Sequence, residues 1–102
     1  MKIPGKIRIG GQDVEIRFVE HLENANLGHI CLAEGLMEIA DCFNDKKQSE
    51  TSKVQTFIHE VIHGVLDTMG ENKLSYNEKF VNTFSSLFVD VIEEIIKANK
   101  ND

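Results

Sequence analysis

Apolar and polar residues alternate near the start of the chain, with the two-residue period of β-strands that bury one face. The pattern covers KIRI at residues 6 to 9 and VEIRF at residues 14 to 18. Between these segments stand Gly10 and Gly11, which can adopt the positive φ angles of a tight turn. The spacing therefore predicts a β-hairpin.

A second pair of short strands is predicted around Gly35. HICLAE occupies residues 29 to 34 and LMEIA occupies residues 36 to 40, although leucine, methionine and alanine have weaker strand propensity than β-branched residues. The polar segments at residues 19 to 27 and 42 to 50 are rich in turn formers and are expected to be loops. The two hairpins together predict a small antiparallel β-sheet.

The period changes to about 3.6 residues from about residue 51, which predicts a long amphipathic helix. Its apolar stripe consists of Val54, Phe57, Ile58, Val61, Ile62, Val65, Leu66 and Met69. Ser52 and Gln55 fit a capping box at the start of this helix. Gly70 suits the left-handed conformation that ends many helices.

A second amphipathic helix is predicted after a short polar link at residues 71 to 74. Ser75 would begin this helix, and it should end at about Lys97. Its apolar face comprises Phe80, Val81, Phe84, Leu87, Phe88, Val91, Ile92, Ile95 and Ile96. Two such helices bury their apolar faces by packing against each other and against one face of a sheet. The sequence predicts a single α+β domain over residues 1 to 102.

Two histidines and a glutamate interrupt the apolar pattern of the first helix, in the segment FIHEVIHGVLD. His59 and His63 are four residues apart, so their imidazoles lie one turn apart and flank the apolar stripe. Glu60 is turned away from direct ligation, but it can reach a water at an ion held by the histidines. The HExxH segment therefore predicts a zinc site with Glu60 as general base.

A catalytic zinc site usually has three protein ligands and a water, so the histidine pair requires another donor. The metzincin continuation HExxHxxGxxH is excluded, because Leu66 and Met69 occupy the positions of its glycine and third histidine. Asp67 lies one turn beyond His63, too far along the helix axis to share the ion. It is either an acceptor for an imidazole N–H or an exposed helix residue.

Glu78, near the start of the second helix, is the candidate third ligand. An antiparallel pair of helices would bring the first turn of the second helix back toward the histidines. The segment SYNE at residues 75 to 78 also fits a capping box, in which Glu78 would accept a hydrogen bond from the backbone N–H of Ser75. The residue pattern alone leaves both roles open.

The order of these motifs resembles the ImmA/IrrE-type metallopeptidases and the minimal zincins encoded in phage and prophage genomes. In those proteins HExxH is followed by a helix that begins E-x-x-A-N-x-F or similar, and here HEVIH is followed by EKFVNTF. Glu78, Asn82 and Phe84 match, and Val81 replaces the alanine. The likeness covers roughly residues 28 to 92. It implies a zincin-like core with a gluzincin-like site, in which Glu78 is the third zinc ligand.

The chain departs from the family pattern at Gly64, where alanine commonly follows the second histidine. Glycine within a helix costs about 0.5 to 1 kcal/mol relative to alanine. A close approach of another part of the chain would explain this residue. No additional domain is predicted beside the zincin-like one.

Two functions are consistent with these residues. One is a zinc-dependent metallopeptidase that hydrolyses a protein or peptide substrate with a water activated by Glu60. The other is a non-catalytic binding or regulatory module that retains the scaffold. The intact Glu60 favours the first, whereas the small size, which leaves little material for a deep cleft, favours the second. Iron, cobalt, nickel and manganese also suit a His/His/Glu site. His21, His29 and Tyr76 are assigned no catalytic role.

The composition narrows the class of protein further. A formal net charge of -6 and a pI near 5.1 argue against a nucleic-acid partner, which normally requires a basic surface. No apolar run suits a signal segment or a membrane span, so the sequence predicts a cytoplasmic protein with no membrane partner. Cys31 and Cys42 are too few for a disulfide scaffold and are expected to be reduced.

Overall fold

A computed structural model describes residues 1 to 100 and confirms the predicted α+β class. The strands are β1 (Lys6–Ile9), β2 (Gln12–Val19), β3 (Gly28–Cys31), β4 (Leu36–Ala40), β5 (Cys42–Phe43) and β6 (Lys46–Lys47). The helices are α1 (Glu50–Met69), α2 (Asn72–Ser75) and α3 (Glu78–Lys100). Both long helices were predicted, and the short α2 was not.

The main sheet has the strand order β1-β2-β4-β3. Both predicted hairpins are present, because β1 pairs antiparallel with β2 and β3 pairs antiparallel with β4. The strand predicted at residues 29 to 34 is shorter, since it ends at Cys31 and residues 32 to 35 form the turn. They are joined by a parallel pair of β2 and β4, so the sheet is mixed rather than wholly antiparallel. Met37 and Ile39 of β4 are fully buried, which accounts for the central place of this strand. β3 is left at an edge.

The predicted loop at residues 42 to 50 contains a second, two-stranded sheet formed by β5 and β6. Asn44 and Asp45 connect these strands with φ angles of 50° and 64°. Asparagine and aspartate tolerate this left-handed region better than other non-glycine residues, and it suits a tight hairpin turn. The predicted loop at residues 19 to 27 contains the last residue of β2, Val19, and a single 3-10 turn at Glu23–Ala25.

The start of α1 differs from the prediction, and its end does not. Ser49 is the N-cap, and its hydroxyl accepts a hydrogen bond from the backbone N–H of Ser52 at 3.1 Å. The predicted capping box of Ser52 and Gln55 is therefore wrong, since both residues already lie inside the helix. Gly70 ends α1 in the left-handed conformation, as predicted, with a φ of 79°.

The second long helix begins later than predicted. Ser75 is the last residue of α2, and Asn77 caps α3 by accepting a hydrogen bond from the backbone N–H of Phe80 at 3.1 Å. The helix continues to Lys100, beyond the predicted end at Lys97. Across residues 1 to 100, no helix has both the length and the apolar character that crossing a membrane requires.

The hydrophobic core lies between α1 and one face of the main sheet. Its buried members on these elements are Ile9, Val14, Ile16, Met37, Ile39, Val54, Phe57, Ile58, Ile62 and Leu66. Burying each aliphatic side chain of this kind stabilises the fold by about 1.5 to 3 kcal/mol before entropy is counted. The prediction that both helices pack against the sheet holds chiefly for α1.

Only a narrow side of α3 is buried, and it packs chiefly on α1. This side consists of Val81, Ser85 and Val89. Most of the apolar face predicted for this helix is instead exposed, including Phe84 and Leu87. The prediction of a broad buried face on α3 is therefore wrong, because α1 already covers the sheet.

Gly64 lies where α1 approaches the sheet most closely. A Cβ atom at this position would stand 2.9 Å from Ile30 Cδ1 and 3.1 Å from Ile9 Cδ1. These distances are shorter than ordinary van der Waals contacts, so the absence of a side chain allows the helix to lie against β1 and β3. The close approach predicted at this glycine is confirmed.

We expect Gly64→Val to lower the free energy of unfolding by about 2 kcal/mol, because two methyl groups would overpack this contact. The measurement is the urea midpoint of metal-free protein. Gly5→Val is the matched control, since a Cβ at Gly5 would meet no atom within 4 Å. Equal midpoints for the two variants would contradict the close approach.

Candidate metal centre

His59 and His63 stand side by side on α1, as their spacing predicts. Their ring centroids are 4.8 Å apart, and the two Nε2 atoms are 3.1 Å apart. The side chains are 19% and 16% exposed, so they flank the core at the edge of the helix. Both Nε2 atoms therefore face one point at the surface.

The carboxylate of Glu78 completes a group of three with these rings. Its Oε2 lies 3.2 Å from His59 Nε2, and its Oε1 lies 3.1 Å from His63 Nε2. The turn through α2 returns the chain so that the first residue of α3 faces α1. Asn77 provides the helix cap, so the alternative capping role of Glu78 is wrong.

The distances within this group fit a small metal ion. Tetrahedral ligands at about 2.0 to 2.1 Å from an ion lie about 3.3 Å from one another. Here the two Nε2 atoms lie 3.1 Å apart, each lies 3.1 to 3.2 Å from a different oxygen of Glu78, and one donor atom from each residue lies within 4.8 Å of the others. Two imidazoles and one carboxylate are also a donor set that binds divalent transition metals. His59, His63 and Glu78 could therefore hold a metal ion.

Ser75 supports His63 from the side opposite the ligand position. Its hydroxyl lies 3.1 Å from His63 Nδ1, and the residue is only 4% exposed. When Nδ1–H donates to this hydroxyl, the lone pair of Nε2 points toward His59 and Glu78, which is the ligand form of the ring. Asp67 is exposed, so the prediction of an imidazole acceptor there is wrong and the exposed alternative is correct.

The contact of Ser75 with His63 was not predicted, because the sequence pattern places this serine at the start of a helix. The capping pattern from residue 75 to residue 78 was the misleading signal. A serine in the short link between a histidine-bearing helix and a glutamate-bearing helix was the signal that could have identified it.

Glu60 lies on the buried side of the same group and is 8% exposed. A Cβ atom on Gly28 would stand 3.2 Å from Glu60 Oε2 and 2.6 Å from Thr56 Cγ2, so β3 covers this carboxyl closely. Burial, and secondarily the negative charge of Glu78, raises the pKa of Glu60 to about 7. The carboxyl can therefore gain or lose a proton near neutral pH.

The pKa of His59 is shifted in the opposite direction. Burial is the main cause that lowers it, followed by the charge of His63, while Glu78 and Asn82 act to raise it. A lowered imidazole pKa keeps His59 neutral at neutral pH. Only the neutral ring binds a metal.

An open cleft of about 520 Å³ gives access to the three donors and to Glu60. One wall comes from α1 and includes Gln55. Asn82 and Ser86 of α3 and the segment from Ala25 to Gly28 also line the cleft, and the Gln55 amide donates a hydrogen bond to the Ser86 hydroxyl at 3.0 Å. A cleft of this volume lies within the usual range of ligand-binding sites.

The remaining histidines, the tyrosine and the cysteines lie outside this cleft. His21 is about half exposed near Glu20 and Asp45, and His29 is exposed on β3. Tyr76 is 85% exposed. Their omission from the predicted site agrees with these positions. Both cysteines are free thiols, as expected.

Comparison of the chain with protein-family models, curated proteins and solved structures finds no match. The likeness to ImmA/IrrE-type proteins therefore stays a prediction from the two motifs. The chemistry of the site rests on its own donors and their geometry.

We expect Ser75→Ala to weaken divalent metal binding by about 10- to 100-fold, because the His63 ring loses the partner that fixes its orientation. Competition between the protein and a chromogenic chelator measures this affinity. Ser86→Ala, in the cleft wall but without a histidine contact, is the matched control and should bind as the wild type does. Equal affinity in both variants would show that Ser75 does not position the ring.

The metal-free protein should become less stable as pH rises from about 4.5 to about 7. The folded carboxyl of Glu60 keeps its proton to about pH 7, whereas the unfolded carboxyl releases it near 4.5, so the unfolded state binds fewer protons in this window. We expect Glu60→Gln to remove this slope and to stabilise the apoprotein by about 3 kcal/mol at pH 8. Urea unfolding in chelator at several pH values measures both effects.

The exposed Glu34 offers a matched control, because Glu34→Gln removes the same charge from the surface. A slope that persists unchanged in Glu60→Gln would show that another group causes it.

Proposed function

We propose that this protein is a zinc-dependent metallopeptidase that hydrolyses peptide bonds in protein or peptide substrates. One observation carries the proposal: the Nε2 atoms of His59 and His63 and the carboxylate of Glu78 converge at 3.1 to 3.2 Å in an open cleft that also contains the buried Glu60. A strongly raised pKa on a buried carboxyl in a cleft is also typical of functional sites.

His59, His63 and Glu78 would hold the ion. Bound zinc supplies a Lewis acid that polarises a substrate carbonyl and lowers the pKa of a coordinated water to about 7. Three protein ligands leave a fourth position open, which is the arrangement of catalytic rather than structural zinc. Zinc is proposed because two imidazoles and one carboxylate are a ligand set of catalytic zinc sites.

Glu60 would accept the proton of the attacking water and return it to the leaving amine. A general base works best when its pKa is close to the operating pH, and the pKa of Glu60 is raised to about 7. A nearby cation would lower this pKa and favour the ionised carboxylate. Gly28 keeps β3 close above Glu60, so the carboxyl is shielded from bulk water but open to the cleft.

The sheet edge beside the cleft suits an extended peptide. β3 pairs only with β4 within the main sheet, so its outer edge offers backbone groups to a further strand. Gly28, the first residue of β3, lines the cleft. A substrate strand that pairs with this edge would therefore run past the three donors, which supports a peptide rather than a small molecule as the substrate.

We expect Glu60→Gln to keep the bound metal and to lose about 10²- to 10⁴-fold of peptidase activity, because the amide cannot accept the proton. Zinc-loaded protein is assayed against a denatured protein substrate with and without chelator, and metal content is measured in parallel. Glu34→Gln, the surface control, should keep both metal and activity.

Glu78→Ala tests the donor set in the same assay and should lose both metal and activity. Zinc retained equally by this variant would remove Glu78 from the site. Wild-type protein that binds zinc but cleaves no substrate faster than Glu60→Gln would favour the alternative, a non-catalytic binding or regulatory module.

A further inference from the structure

One side of α3 carries a continuous row of large apolar side chains that the rest of the chain leaves uncovered. Among them Leu87 is 65% exposed, Ile95 56%, Val91 50%, Phe84 43% and Phe88 39%. Phe80 is half-buried at one end of the row. We call these six residues the α3 stripe. Contiguous apolar surface on this scale marks an interaction site on a protein.

The spacing of the α3 stripe is symmetric along the helix. A point midway between Leu87 and Phe88 has Phe84 and Val91 at equal distances on either side. Phe80 and Ile95 are again equidistant from that point. In a dimer of two antiparallel α3 helices, the two-fold axis lies between the helices at the level of this midpoint and is perpendicular to the plane that contains them. This axis places the stripe of one copy against the stripe of the other. This self-complementarity is what a symmetric dimer interface requires.

Side-chain size also matches across this axis. Phe84 of one copy would face Val91 of the other, and Phe80 would face Ile95, so an aromatic ring meets a β-branched side chain at each step. Leu87 and Phe88 meet near the axis. Alternation of large and smaller side chains allows two helices to interlock closely.

Charged side chains along the border of the stripe are complementary in the same arrangement. Lys79 lies beside Phe80 and Phe84, and Glu94 lies beside Val91 and Ile95. The two-fold axis brings Lys79 of one copy to within about one turn of Glu94 of the other. Within residues 1 to 100, neither side chain takes part in an ion pair of the single chain. The pairing would occur twice, once at each end of the interface.

The exposed area approaches what a stable dimer needs. Large apolar side chains offer about 150 to 250 Å² each, so the exposed fractions leave on the order of 450 Å² of stripe per copy. Pairing two copies would then remove about 900 Å² from these residues alone, and a specific interface buries about 1,200 Å² or more in total with its polar border.

We propose that this protein forms a symmetric homodimer in which α3 packs antiparallel on α3 of a second copy through the α3 stripe. At about 100° per residue, Asn82 lies about 180° around the helix from the centre of the stripe. Asn82 lines the cleft, so dimer formation leaves the cleft open. The proposal is independent of the metal and of peptidase activity.

Sedimentation velocity of the full chain over a range of concentrations tests this dimer. We expect a species of twice the 11.5 kDa chain mass at tens of micromolar. Leu87→Glu would bring two carboxylates together near the axis and should weaken association by on the order of 100-fold. Met69→Glu is the matched control, because Met69 on α1 is 66% exposed and lies outside the stripe.

A charge exchange tests the antiparallel arrangement. Lys79→Glu and Glu94→Lys should each weaken association several-fold, since each places like charges at both ends of the interface. The double variant should restore the affinity of the wild type. Circular dichroism and thermal midpoints of dilute samples confirm that each variant folds.

Three results would overturn the proposal. A wild-type chain that stays monomeric at every concentration would assign the stripe to a different partner. A Leu87→Glu variant that dimerises as well as Met69→Glu would place the interface elsewhere. A double charge variant no tighter than the single variants would exclude the antiparallel pairing.

Discussion

The close packing of α1 on the main sheet is the constraint on which the rest of the structure depends. Gly64 allows the helix to rest against Ile9 and Ile30, and the buried apolar side of α1 packs on the sheet around this point. Once its apolar side is buried, His59 and His63 must lie along one edge of the helix. Glu60, one residue further around the helix, must then point toward β3. The positions of the two histidines and of the candidate base thus follow from the packing of α1 on the sheet.

The burial of Glu60 shows that the fold accepts a cost at this site. A carboxyl shielded by Gly28 and Thr56 holds its proton to about pH 7, and this preference lowers the stability of the metal-free fold at neutral pH. A divalent cation beside the carboxyl would offset the cost by favouring the ionised form. Binding of an ion and ionisation of Glu60 would therefore favour each other.

Three different sides of α3 face the core, the cleft and the solvent. Val81, Ser85 and Val89 pack inward, whereas Glu78 and Asn82 line the cleft. The α3 stripe faces away from both. A helix advances about 100° per residue, so side chains at neighbouring positions can meet a core, a site and solvent independently. A contact made by the stripe could therefore leave the donors in place, because it acts on the far side of the same helix.

The sequence by itself determined the local elements and the chemistry that they carry. Alternation predicted both hairpins, the 3.6-residue period predicted both long helices, and the HExxH spacing placed His59 and His63 side by side. These features depend on residues close together in the chain, where the backbone period alone decides which side chains share a face. The tertiary structure decided which elements pack against each other. It joined β2 and β4 as a parallel pair, brought Ser75 to His63 and Glu78 to both rings, and left the α3 stripe exposed. These outcomes depend on how distant segments compete to cover the same surface. α1 covers the face of the sheet, and the residue period of α3 does not reveal that this face is already covered.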